Sequence, residues 1–354
     1  MLSGTSTAGP SQDPPGLDLT RLADWLATLP DKTLLPGGAG AGPLTAVLLA
    51  GGKSNLTYEV SSGEHSWVLR RPPLGHVLAT AHDMAREYRI MSALQGTGVP
   101  VPQTYALCQD ADVIGAPFYL MERVEGTAYR WASQLEPLGP GRARKISEDL
   151  IDILVALHAV EPARVGLADF GRPEGFLARQ VSRWKKQLDS SRSRDLPAAA
   201  ELHALLAASV PDQSPDGIVH GDYRLDNVLT ADDDRLVAVL DWEMATLGDP
   251  LTDLALMSIY QRFAEVMAGS IADASSAPGF LSVDGVIARY AAASHRDLSR
   301  FGFYLGLAAF KLAVIGEGIY YRHLHGQTVG AGFEAVNTIT EPLLEAGIGF
   351  VREG

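Results

Sequence analysis

The stretch GIVHGDYRLDNVLTADDDRLVAVLDWE, at 217–243, restricts the possible folds more than any other part of the chain. Its short apolar runs on either side of Asp232–Asp234 read as a β-hairpin with the acidic triplet as the turn. The hairpin interrupts a region in which apolar residues otherwise recur at helical spacing. Helices are expected at roughly 144–159, 174–188, 197–208, 250–267, 283–293 and 300–323. Asp222 and Asn227 fall on the loop before the first strand, and Asp241 at the end of the second. Hairpin pairing then brings Asn227 and Asp241 to the same edge.

The first third of the chain has a different pattern. Residues 18–29, DLTRLADWLATL, place Leu19, Leu22, Ala23, Leu26 and Leu29 on one helical face. TAVLLA (45–50), LTYEVSS (56–62) and HSWVLRR (65–71) read as strands, followed by an amphipathic helix HDMAREYRIMSAL (82–94). VPVPQTYALC and PFYLMERV (117–124) supply two more strands. The expected class is therefore α+β: a small antiparallel lobe with one inserted helix at 17–124, then a larger, mainly helical lobe at 125–354. Residues 1–16, rich in Ser, Gly and Pro, read as a disordered leader.

The chain has 354 residues and a formal charge of −13, of which −10 falls after residue 124. Such acidity argues against a nucleic-acid partner, which requires a basic stripe. It suits a cationic ligand, although a solvated acidic surface is the simpler reading. A single cysteine, Cys108, permits no internal disulfide and fits a reducing compartment. The most apolar stretch, FGFYLGLAAFKLAVIGEGIYY (301–321), is interrupted by Lys311 and Glu317, and reads as a buried helix with no membrane partner. With no signal-peptide pattern at the start, a cytoplasmic location is expected. The sequence leaves the oligomeric state open.

An aspartate and an asparagine carbonyl at one sheet edge are hard oxygens suited to Mg²⁺ beside a phosphate-bearing substrate. Asp222, slightly apart, is then available to orient or deprotonate an attacking hydroxyl. Phosphoryl transfer needs these parts, because its catalysis is mostly positioning and charge neutralisation.

HGDYRLDN followed by LDWE resembles the catalytic and metal motifs of the aminoglycoside phosphotransferase and choline kinase-like family, small-molecule kinases with a bilobal protein-kinase-like fold. GGKSNLTYEV, WVLRRPP, REYRIMSAL and FYLMERVEG resemble a bacterial branch related to phosphotransferase domains fused to acyl-CoA dehydrogenases. The resemblance implies Asp222 as the catalytic base, Asn227 and Asp241 as metal ligands, ATP and Mg²⁺ as cofactors, and a small-molecule hydroxyl acceptor. In the first lobe, Gly51, Gly52, Ser54 and Asn55 would form a loop covering the phosphates with backbone amides. GGKSN is not a Walker A motif, since Val47 stands where glycine is needed and a strand follows. Strand alternation puts Val68 and Arg70 on one face. By the resemblance Val68 lies under adenine and Arg70 on the phosphates, with Glu87 as its ion-pair partner. The family slot is often lysine; arginine can make the contact bidentately. The backbone at Glu122 and Val124 would hydrogen-bond adenine, and Arg71 reads as a solvated strand-end charge.

Neighbouring residues receive structural readings. His220 packs and shapes the loop; Asp253 caps a helix and braces the catalytic loop, with Asp249 similar; His158 belongs to the core; Tyr223 and Trp242 pack. A nucleotide-binding pseudoenzyme is the alternative, and it would require Arg70 to be disabling. A protein kinase would show HRD, DFG and APE signatures, which this chain lacks.

Overall fold

The computed structural model describes residues 13–31, 35, 36, 38, 42–49, 55–75, 82–212, 215–264, 272–327 and 333–354, the side chains of 333–335 excepted. Two compact units divide it: Met1–Gln95 with Val101–Glu125, and Gly96–Pro100 with Gly126–Gly354.

The first unit opens with helix α1 (Leu19–Thr28), whose N-cap Asp18 accepts from Arg21 N at 2.9 Å. Strands β1 (Leu44–Leu48), β2 (Leu56–Ser62) and β3 (His65–Arg71) follow, then α2 (Met84–Leu94), β4 (Thr104–Cys108) and β5 (Phe118–Glu122). The five strands form one antiparallel sheet in the order β1-β2-β3-β5-β4. Alternation sends Tyr58, Val60, Trp67, Leu69, Phe118 and Leu120 to a single core, where they meet Leu19, Leu22 and Leu26 of α1. Each such fully buried aliphatic or aromatic side chain contributes roughly 1.5–3 kcal/mol. Of the leader anticipated over 1–16, residues 1–12 lie outside the described residues, while Pro14–Leu17 form a turn closed by Leu17 N on Pro14 O at 3.0 Å.

Arg71 corrects the sequence reading. Alternation places it on the core face of β3, and it is 4% exposed rather than solvated. Its guanidinium donates to the carbonyls of Gly16, Pro72 and Ile114, satisfying three backbone acceptors that would otherwise be buried without donors.

The second unit contains helices α3 (Ala132–Leu135), α4 (Pro140–Ala159), α5 (Phe176–Ser191), α6 (Pro197–Ala208), α7 (Leu251–Arg262), α8 (Val283–Ala293), α9 (Phe301–Leu324) and α10 (Thr340–Glu353). Between α6 and α7 lie β6 (Gly217–Val219), β7 (Val228–Thr230), β8 (Leu236–Val239) and β9 (Thr246–Gly248). β7 and β8 form the expected hairpin, turned at Asp234 with φ 69°. β6 pairs antiparallel with β9, a non-local pairing with no local sequence signature. Helix α9 is long and apolar enough to cross a membrane, but 78% of its most apolar window is buried inside the protein. It packs against α5, α6, α7 and α10.

Candidate functional site

In the first unit the polar cluster is built on regular elements. β3 alternation turns Arg70 away from the α1 core, and α2 presents Glu87 to it. Arg70 Nε donates to Glu87 Oε2 at 2.9 Å. Glu87 is only 2% exposed, and a carboxylate so buried needs partners. It also accepts from Tyr119 OH at 2.9 Å and from Asn55 Nδ2 at 3.1 Å. Asn55 Oδ1 faces His82 Nδ1 at 2.8 Å. Asn55, anticipated as part of a phosphate-covering loop, thus turns its side chain inward as an anchor; Gly51, Gly52 and Ser54 lie outside the described residues. Val68 is buried on the same face as Arg70. Glu122 N donates to Gln103 O at 2.7 Å, and its carboxylate accepts from Gln103 N at 3.1 Å. The Glu122 backbone N–H is thus already engaged within the first unit. Val124 follows β5 in an extended, half-buried link.

The second unit builds its cluster on loops. His220, Gly221 and Asp222 follow β6, and Asn227 closes a short 3₁₀ turn before β7. Leu240 N donates to Asn227 O at 2.8 Å, extending the hairpin ladder by one step. Asp241 is the next residue, so the predicted shared edge exists. It adopts left-handed backbone, φ 64° and ψ 58°, rare for a non-glycine residue and held here by the surrounding structure. Asn227 Nδ2 donates to Asp222 O at 2.9 Å and to Asp222 Oδ2 at 3.1 Å. Arg224 Nε lies 3.4 Å from Asp222 Oδ2, and Arg224 Nη2 lies 2.9 Å from Asp226 Oδ2. The guanidinium covers the Tyr260 ring at 4.7 Å. Burial and the nearby Asp222 push the Tyr260 hydroxyl far above its ordinary pKa, so it remains a donor. Burial raises the Asp226 carboxyl as well, opposed by Arg224. A cavity of about 30 Å³, room for one or two waters, opens beside Arg224, Asp226, Tyr260, Leu150, Phe280 and Val286.

Beneath the loop runs a buried brace. Asp253, on α7, accepts from His220 N at 2.7 Å and from Gly221 N at 2.8 Å, as the sequence reading anticipates. It does not cap α7, whose N-cap is Pro250; Asp249, one position earlier, accepts from Leu251 N at 3.1 Å and from Tyr304 OH at 2.7 Å. His220 Nδ1 accepts from Asp222 N at 3.3 Å and its Nε2 faces Leu240 O at 2.9 Å, a pattern that fits the neutral Nε2–H tautomer. Its ring packs against Tyr223 and Trp242, so all three are packing residues. His158 is enclosed between Tyr290 OH, at 2.7 Å, and Asp253 Oδ2, at 3.4 Å. Burial holds its pKa below the ordinary value despite the carboxylate. Gly221 is in the left-handed region at φ +90°, and a Cβ there would lie 2.7 Å from Met244 Cβ. One residue attracted no role from its sequence context: Lys311, midway along α9, donates to Gly221 O at 2.8 Å. The available signal was a lone cation in the apolar run 301–321.

The sequence profile of the phosphotransferase enzyme family matches residues 45–299. Acyl-CoA dehydrogenase family member 11 of Gallus gallus is 35% identical over 317 residues, covering 87% of this chain and 40% of that protein. The chain thus spans well under half the length of this relative. A Ralstonia eutropha protein provisionally named an aminoglycoside phosphotransferase superposes with a TM-score of 0.80 at 31% identity, covering 95% of this chain and 98% of that one. Aminoglycoside phosphotransferase APH(4)-Ia, solved with ADP and hygromycin B, shares the fold at a TM-score of 0.59 and 16% identity, covering 94% and 98%.

Proposed function

The chain belongs to the phosphotransferase enzyme family, and from that premise we propose that it is an ATP-dependent small-molecule kinase with Asp222 as its general base. The observation that carries this reading is the state of the Asp222 carboxylate: 27% exposed, and steered by Asn227 Nδ2 and Arg224. In the reaction, an acceptor hydroxyl attacks the γ-phosphorus of ATP, the bond from that phosphorus to the β–γ bridging oxygen breaks, and ADP leaves. The hydroxyl proton passes to Asp222 as the new oxygen–phosphorus bond forms. Arg70, fixed by Glu87, holds phosphate oxygens, and the Glu122 carbonyl and Val124 backbone take the adenine edge.

Asn227 and Asp241 would hold Mg²⁺. The donor types fit: with its amide nitrogen committed to Asp222, Asn227 keeps its carbonyl oxygen for a ligand, and the hairpin ladder brings Asp241, a second hard oxygen donor, to the same edge. Bound there, the ion would neutralise charge on the transferring phosphoryl group. Kinship with acyl-CoA dehydrogenase proteins favours a hydroxyacyl compound as acceptor over a cationic sugar.

ADP release is the test, measured against a panel of hydroxyacyl thioesters, hydroxylated cations and sugars. A hydroxyacyl thioester should stimulate it, and Asp241→Ala should abolish turnover and weaken Mg-dependent nucleotide binding. Normal turnover with normal Mg·ATP affinity in that variant would overturn the metal assignment.

A further inference from the structure

Within the run FYLGLAAFKLAVIG of helix α9, Lys311 is the single cation. Its neighbours Phe310 and Leu312 are buried, and an apolar side chain at 311 would pack there without desolvating an ammonium group. The cation must therefore act through what it touches. Lys311 Nζ lies 5.6 Å from the Trp184 ring, and its hydrogen bond, 2.8 Å long, goes to the carbonyl of Gly221, the residue before Asp222.

That carbonyl is one end of the peptide plane that carries Asp222. At the other end Asp222 N donates to His220 Nδ1 at 3.3 Å, a long bond. Glycine leaves its flanking peptide planes freer to rotate than any other residue does. Asp253 holds only the preceding peptide, through Gly221 N. Asn227 and Arg224 hold Asp222 from its far side, at its own carbonyl and carboxylate, so without Lys311 the peptide leading into it would be held only by the long His220 bond.

We propose that Lys311 is a positioning residue: by pinning the Gly221 carbonyl it sets the direction in which Asp222 meets the acceptor hydroxyl. The inference rests on the reading of Asp222 as the base. On this proposal the effect of Lys311 on the reaction passes through Asp222.

A double-mutant cycle tests this. Wild type, Lys311→Met, Asp222→Asn and the double variant are compared in single-turnover ADP formation from Mg·ATP with water as the acceptor. ATP affinity and thermal midpoint are measured in parallel. Lys311→Met should slow the wild-type reaction by at least tenfold, since a small misplacement of a reacting group can cost about 10²-fold. ATP affinity should stay within threefold of wild type. In the Asp222→Asn background the same substitution should change the rate less than twofold. A Lys311→Met rate within threefold of wild type would overturn the proposal, as would a rate loss that persists undiminished in the Asp222→Asn background. If Lys311→Met fails to fold, Lys311→Leu, matched to its apolar neighbours, carries the same cycle. Full activity in Asp222→Asn alone would remove the base reading, and this proposal with it.

Discussion

The two units anchor their functional charges in opposite ways. In the first, β3 alternation separates two adjacent arginines: Arg70 faces Glu87 on α2, while Arg71 is buried on the other face against Gly16, Pro72 and Ile114. On the proposed reading, phosphate binding and stability fall to different residues. In the second unit, His220, Gly221 and Asp222 share one irregular loop, and Asp253 holds two of its amides from below. The bonds that keep that loop folded end at the peptide just before the one that carries its carboxylate. A strand can separate the two demands because its faces alternate; a loop has no such period, so the groups that fold it and those that meet its carboxylate lie in one network.

The sharpest way to break this contrast is Asp253→Ala. It removes a buried carboxylate that accepts two backbone N–H groups and faces His158, which should cost about 3–5 kcal/mol and abolish turnover as well. Denaturant unfolding and ADP release would be measured on the same preparation. A variant as stable as wild type would show that the brace is not structural.

Next in size is Arg71→Ala, which strands three carbonyls and should cost about 2–3 kcal/mol, with turnover per folded molecule unchanged. A stability change below about 0.5 kcal/mol, the range of surface substitutions, would return Arg71 to the surface role its sequence position suggests.

Arg70→Ala should reverse that pattern. Loss of a charge-assisted contact to phosphate should lower kcat/KM for ATP roughly 10–100-fold. Unchanged ATP kinetics would show that Arg70 serves Glu87 alone.

The smallest effect is a pH dependence. Burial holds folded His158 below its ordinary pKa of 6.5. Above pH 6.5 both folded and unfolded states are neutral at this residue and stability is flat. Below it the unfolded chain takes up a proton that the folded chain refuses, so stability falls by at most about 1.4 kcal/mol per pH unit until the folded group titrates. His158→Gln should flatten that slope in urea titrations; an unchanged slope would assign it to other groups.

How much was legible in the sequence follows the same division. Period-2 alternation placed Arg70 correctly, but it gave no sign that Arg71 would meet carbonyls brought from positions 16 and 114, because those contacts are long-range. The hairpin was visible as two apolar runs about a polar turn; its companion pair β6–β9 joins segments nearly thirty positions apart and was not. Helix α10 lies beyond the helices read from the sequence, and it contains Pro342, Gly347 and Gly349, residues that weaken a helical pattern. Packing explains one of them: a Cβ at Gly347 would lie 2.6 Å from Leu202 Cδ2, so this glycine admits a close approach of α10 to α6. Asp222, Asn227 and Asp241 were found as a motif, whereas Lys311, in the same cluster, belonged to no motif.

The account turns on Asp222 acting on the acceptor's proton and not on nucleotide binding. Asp222→Asn keeps the side chain's shape while removing its basicity. Calorimetric titration with Mg·ATP, set beside turnover of the same protein, separates the two roles. The account predicts ATP affinity within a few-fold of wild type and turnover lowered by about 10²–10⁴-fold. Loss of ATP binding in the folded variant would make Asp222 a metal ligand, and full turnover would contradict its role as the base.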